Sequence, residues 1–229
     1  MRLDVLSALN AERAARRAVV LVTAIESGAQ RLVTHDLIDA DPLRETLRKR
    51  LHSGKSGMEE TLEGRVFLTV HVPSPRMVIT GAVHISQALA PIAKLAGYDV
   101  TIVDPRTAFA TPERFPDVSL LAEWPENALP RLSIDRYTAF VALTHDPKID
   151  DFGLVEALRN ECFYVGALGS KKTHARRVER LRAQGLSEAA IARIHAPIGL
   201  DIGAVSPAEI AVAVMAEITT ARRRPEAAS

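Results

Sequence analysis

Apolar positions fall into two regimes along the chain. In the first 70 residues or so the pattern is that of a small α+β unit. Val5 to Arg17 repeats at helical spacing, Val19 to Ala24 (VVLVTA) is a β-branched run that predicts a strand, and Arg65 to His71 (RVFLTVH) predicts a second. Asp41 followed by Pro42 reads as a helix start, a capping side chain and then a ring that needs no N–H. That helix runs to about His52, and Gly54 can end it. Residues 53–64 (SGKSGMEETLEG) read as loop. From Met77 the pattern changes to apolar runs separated by helices. Met77–Thr80, Asp99–Val103, Thr138–Thr144 and Phe163–Leu168 predict strands, while Ile85–Ala96 and Phe152–Arg159 predict helices. Continuous apolar strands alternating with helices indicate a parallel sheet covered on both faces. Pro91 inside the first of these helices predicts a kink or a shift in packing.

The two regimes meet at VPSPR, 72–76, where Pro73 and Pro75 interrupt any regular element. The expected organisation is a small α+β N-terminal domain over 1–74 and an α/β domain with a Rossmann-like parallel sheet over 75–229.

Composition narrows the function classes. A formal net charge of +1 gives no global field for nucleic acid or an anionic membrane surface, and 4% aromatics supply no stacking platform for single strands. No stretch approaches the roughly 20 apolar residues of a membrane helix, and the N-terminus does not read as a secretory signal. Cys162 is the one cysteine, so an intrachain disulfide is excluded, as suits a cytoplasmic protein.

Candidate chemistry clusters where strands end. TGAVHIS at 80–86 joins a strand to a helix, the place where a Rossmann fold holds pyrophosphate against a helix N-terminus. Gly81 fills the first position of a G-x-G-x-x-G frame. Ala82 and His84 lie between, while Val83 and Ser86 replace the second and third glycines. Because a side chain at the second position obstructs close approach of a phosphate, Gly81 is read equally as a tight turn or as part of a ligand cradle. Asp104 follows about 24 residues on, near the roughly 20 expected of a ribose-gripping carboxylate. Asp104 for a ribose hydroxyl, Arg106 for a phosphate, or a pair that caps the strand end all remain open. His145 and Asp146 in THDPKID stand at the next strand end, as a proton-exchanging pair or an ordinary turn; no further ligand at useful spacing makes them a metal site. In GALGSKKTHARR, Gly169 allows a sharp exit, Ser170 can cap a helix, and Lys171 and Lys172 fall in its first turn, where cations oppose the helix dipole unless an anion lies between them. Arg176, Arg177, Arg180 and Arg182 read as a solvated face or partner surface. Ser206-Pro207-Ala208-Glu209 is a capping box that starts a helix with Ile210, Val214 and Ile218 in the core. Before it, Pro197–Gly203 reads as a loop burying apolar side chains around Asp201, an acid, base or ligand clamp, or a turn aspartate. Cys162 reads as a buried small apolar residue.

GAVHISQALAPIAKLAGYDVTIVDPR, THD, YVGALGS and IHAPIGLDIGAVSPAEIAVAVMAEI together resemble the C-terminal half of XdhC/CoxI family proteins, over about residues 76–220. The HAPIGLDIGA stretch with its SPAEIA cap is the specific part. The resemblance implies a Rossmann-like domain and a role in maturing xanthine dehydrogenase and related molybdenum hydroxylases. It implies binding of molybdenum cofactor, a pterin that carries a phosphate, help in its sulfuration, and delivery to a hydroxylase subunit, with a homodimer left open. Two features depart from the family. Its turn resembles GAGHVG where this chain has GAVHIS, and its N-terminal GSVSGGCVE-like segment with a cysteine has no counterpart here. An NAD(P)-binding oxidoreductase and a non-catalytic adaptor of the maturation machinery stand as alternatives.

Overall fold

The computed structural model describes residues 2–62 and 64–224. Residue 63, in the stretch read as loop, and 225–229, at the end of the expected C-terminal domain, lie outside them, as does residue 1. The chain divides into two compact units, Met1–Pro73 and Ser74–Ser229.

The first unit is built on an antiparallel sheet of order β2-β1-β4-β3, from β1 (Val19–Ala24), β2 (Gln30–Thr34), β3 (Gly57–Thr61) and β4 (Gly64–His71). Helices α1 (Leu3–Ala14) and α2 (Arg44–Ser53) and a 3-10 turn over His35–Ala40 complete it. Val20, Val22, Val33, Leu47 and Leu68 form its core. Asp41 does not start the helix. It ends the 3-10 turn, accepts the Leu43 N–H at 2.9 Å and pairs with Arg31, so α2 begins at Arg44. Gly54, at φ +68°, ends it as expected. The polar stretch 53–64 contains β3, an edge strand whose side chains alternate between half-buried and exposed, which is why it carries no apolar signal.

The second unit is a six-stranded, all-parallel sheet of order β10-β9-β8-β5-β6-β7. Its strands are β5 (Arg76–Thr80), β6 (Asp99–Val103), β7 (Ser119–Leu121), β8 (Thr138–Ala142), β9 (Tyr164–Ala167) and β10 (Ile194–His195). The helices are α3 (His84–Leu95), α4 (Pro125–Leu132), α5 (Pro147–Arg159), α6 (Lys171–Ala183), α7 (Glu188–Ile191) and α8 (Pro207–Arg223). Alternation along each strand divides the core. Met77 and Ile79 pack with Leu89 of α3 and Val214 and Ile218 of α8, whereas Val78 packs on the other face with Leu129 of α4, Leu154 of α5, Leu181 of α6 and Ile191 of α7. Helix α3 runs through Pro91, which is exposed.

The chain moves from β5 outward through β6 and β7, then returns to the other side of β5 as β8, β9 and β10. Strand order therefore reverses between β5 and β8, where open α/β sheets form a crevice beyond the carboxyl ends of the strands. Helix α5 is held close over β8 by Gly153, because a Cβ there would lie 2.3 Å from Phe140 Cζ. Gly153→Ala is expected to lower the unfolding free energy by about 1–3 kcal/mol through overpacking, the gain in helix propensity notwithstanding. A urea midpoint equal to that of the native chain would contradict this packing.

Candidate functional site

Two turns meet at the strand reversal, one after β5 and one after β8. The first is closed upon itself. Gly81 adopts φ +113°, and a Cβ on it would meet Thr144 Cγ2 at 2.9 Å, so this position accepts glycine for two reasons. The Ala82 N–H donates to Asp104 Oδ2 at 2.7 Å, and the Val83 N–H donates to Ser86 Oγ at 2.8 Å. Asp104 is fully buried. Its Oδ1 accepts from the backbone N–H and Nε of Arg106, both at 2.9 Å, and its Oδ2 accepts from Arg106 Nη2 at 2.7 Å as well as from Ala82. A carboxylate has about four lone-pair positions; all are filled, and none remains for a ribose hydroxyl in this arrangement. Burial opposes ionisation of Asp104, but the bonds from Arg106 and the Ala82 amide outweigh it and hold the group below the usual aspartate range. Arg106 is correspondingly committed to Asp104 rather than presented to a phosphate. Arg114, unremarked in the sequence, braces the same turn from outside. Its Nη1 donates to Ala82 O at 3.0 Å and Phe109 O at 2.7 Å, and its Nη2 to Gln87 Oε1 at 3.0 Å. Both Arg106 and Arg114 pack on the Phe109 ring. His84 opens α3 and is exposed.

The second turn is strained and borders a cavity. His145 has φ +62°, a left-handed conformation that costs a non-glycine residue energy and often marks a functional position. Asp146 caps α5 by accepting the Lys148 N–H at 3.0 Å, with Pro147 at the first helical position, so its visible role is structural. One turn into α5 stands Asp150, which sequence inspection passed over. It is 1% exposed and reaches back to the sheet, accepting from Thr80 Oγ1 at 2.8 Å and from the Thr144 N–H at 3.2 Å. Burial pushes its carboxyl up to about 6, against the pull of those hydrogen bonds and of the Arg177 charge.

A cavity of about 160 Å³ opens between α5 and α6, lined by His145, Pro147, Asp150, Asp151, Thr173, Arg176, Arg177 and Arg180. Arg177 and Arg180 depart from the solvated face that the basic run suggests, whereas Arg176 and Arg182 keep to it. Arg177 is 2% exposed, and Arg180 pairs with Asp151 through contacts of 2.5 and 3.0 Å. Arg176 is exposed. Burial pulls the Arg177 guanidinium below its ordinary value, partly offset by Asp150 and Asp151. Ser170 caps α6 by accepting the Thr173 N–H at 3.2 Å, and a Cβ on Gly169 would lie 3.7 Å from His145 Nδ1, so the two turns adjoin. Lys171 and Lys172 are exposed and do not line the cavity.

The C-terminal loop differs from its sequence-based expectation. Ile198 is buried, but Leu200 and Ile202 are 41% and 54% exposed, and Asp201 is exposed between them. The carboxylate that orders this loop is the half-buried Glu217 of α8. Its Oε2 accepts from Tyr164 Oη at 2.5 Å and the Gly199 N–H at 2.9 Å, and its Oε1 lies 3.2 Å from His195 Nδ1. Burial and the Glu217 charge raise the Tyr164 phenol far above its ordinary range. Cys162 is fully buried, and burial pushes its thiol up to about 12, which leaves almost no thiolate at neutral pH. Among the described residues no group of three His, Cys, Asp or Glu side chains could hold a metal, and no helix is long and apolar enough to cross a membrane.

The family model described as the XdhC Rossmann domain matches residues 77–218. A protein of Escherichia coli K12 named YqeB, described as uncharacterized, is 37% identical over 155 residues, 67% of this chain and 28% of its own length. A Bacillus subtilis 168 protein described as a probable xanthine dehydrogenase subunit is 33% identical over 153 residues, 66% of this chain and 44% of its own. The molybdenum cofactor insertion chaperone PaoD of Escherichia coli K12 is 31% identical over 154 residues, 67% of this chain and 42% of its own. The chain thus spans less than half the length of these curated relatives. A crystal structure described as a xanthine dehydrogenase from Bacillus halodurans aligns with TM-score 0.65 over 98% of this chain and 65% of its own, at 23% identity, a likeness of fold.

Asp150 gives the site a pH signature. The folded chain holds this proton more tightly than the unfolded chain, where aspartate titrates at about 4. Its contribution to stability is therefore complete below about pH 4 and is lost as pH rises through about 6. Asp150→Asn is expected to flatten that part of a plot of denaturant midpoint against pH. An unchanged slope between those values would show that Asp150 is not the titrating group.

Proposed function

From the premise that the chain belongs to the XdhC family through its Rossmann domain, we propose that it is an accessory factor for a molybdenum hydroxylase of the xanthine dehydrogenase type, and that it binds the molybdenum cofactor and assists its delivery to the enzyme. The names of two relatives, a molybdenum cofactor insertion chaperone and a probable xanthine dehydrogenase subunit, support the reading at the level of maturation. The structural observation that carries it furthest is the α5–α6 cavity beside the turn after β8, which the buried Arg177 helps to line and which an anionic group of the cofactor suits. His145, Asp150 and Thr173 on the cavity wall would orient the ligand. The chain's own cysteine does not suit sulfur transfer, since a buried thiol held at about 12 is a poor nucleophile. Holding and handing over the cofactor fits these residues better than its sulfuration does. On this reading the partner is a hydroxylase subunit and the site of action is the cytoplasm.

An ordinary dinucleotide oxidoreductase fits less well. Val83 stands where the backbone must approach a pyrophosphate, and Asp104 has spent its lone pairs within the protein. Mass spectrometry of small molecules released from native protein, coexpressed with an active cofactor pathway, is expected to find a pterin. Release of a nicotinamide dinucleotide, or of no small molecule at all, would contradict the proposal.

A further inference from the structure

We infer that the cavity between α5 and α6 is a binding site for a tetrahedral oxyanion, either the phosphate end of a monoester or a free oxyanion, held by Arg177 and Arg176. So far as the ligand is the phosphate-bearing pterin proposed above, the inference rests on that reading; the oxyanion site itself does not.

Arg177 is the main observation. It is 98% buried by residue area, and Nη2 donates to Leu168 O at 2.9 Å. Its Nε and Nη1 are buried with no hydrogen-bond partner in the protein. Buried charged donors left unpaired cost free energy, more than neutral ones do, and each such group calls for a specific explanation. The neighbouring carboxylates do not provide one. Asp151 is engaged by Arg180, and the hydrogen bonds described for Asp150 come from Thr80 and Thr144. With Asp151 matched by Arg180 and Asp150 set against Arg177, the charge of Arg176 is left over on the cavity wall. The cavity wall is drawn from the first two turns of α5 and from successive turns of α6, two helices of 13 residues each, so its side chains are held by regular structure. Size then selects the ligand. At about 160 Å³ the cavity is smaller than the roughly 300 Å³ at which pockets for drug-sized ligands begin. It suits a phosphate-sized group and leaves a ring system outside, toward the exposed His145. Lys171 and Lys172, the cations that stand out in the sequence, lie off this wall.

The test is titration calorimetry of the full chain with inorganic phosphate and with phenyl phosphate at low ionic strength. Saturable one-site binding is expected. Arg176→Ala, an exposed change that leaves the fold intact, is expected to weaken it about tenfold, the equivalent of one charge-assisted hydrogen bond. Arg177→Gln is expected to abolish it, with circular dichroism checking the fold, and the Lys171→Ala, Lys172→Ala double variant to leave it within about twofold. Binding of both probes identifies the end of a monoester, and binding of inorganic phosphate alone identifies a free oxyanion. No saturable binding at millimolar concentration, or binding indifferent to Arg176 and Arg177, overturns the inference and assigns the Arg177 donors to water. Phosphate binding by a protein that never retains a pterin sustains this inference and defeats the proposed function; a retained pterin that survives both arginine substitutions does the reverse.

Discussion

The reversal of strand order between β5 and β8 is the constraint on which the functional end of the molecule depends. It brings two loops side by side that would otherwise point into separate solvent, and it forces them close enough that Gly81 has no room for a Cβ against Thr144. Here the first has been closed with side chains: Asp104 and Ser86 take the amides of Ala82 and Val83, and Arg114 holds the Ala82 carbonyl. The second keeps Asp150 and the left-handed His145 beside the α5–α6 cavity.

That division explains the distribution of charge. Around the first turn Asp104, Arg106 and Arg114 are spent on the backbone or on one another, and His84 stands exposed. Around the second, Asp150 ties the end of β8 to β5 through Thr144 and Thr80 and carries a carboxyl that burial has moved toward neutral pH. Arg177 lies behind it with donors to spare. A low-dielectric setting makes unmatched polarity of this kind expensive, and proteins keep such groups where function needs them.

Much of the fold was legible because its cause is local. The apolar runs at 77–80, 99–103 and 138–144 read as strands and lie in β5, β6 and the stretch that begins with β8, and the capping box at Ser206–Glu209 starts α8 as expected. Strands β3 and β7 were not legible, the one polar and half-exposed, the other three residues long. The site divides in the same way. Spacing located Asp104, but a ribose-gripping carboxylate and a turn-closing one have the same spacing, and the difference appears only in their hydrogen bonds. Arg177 sits inside KKTHARRVER, where nothing distinguishes a buried arginine from its solvated neighbours until the helix is packed. Glu217 lies in an apolar helix, and its partners come from two other stretches of sequence, Tyr164 from β9 and His195 and Gly199 from β10 and the loop before α8.

The central claim is that the turn after β8, and not the glycine turn after β5, receives the ligand. Amide chemical shifts followed by NMR as phosphate is added test it directly. The account predicts that the perturbed amides cluster in 145–151 and 170–177 while those of 81–86 stay unmoved. Shifts concentrated at 81–86, with α5 and α6 unaffected, would contradict it.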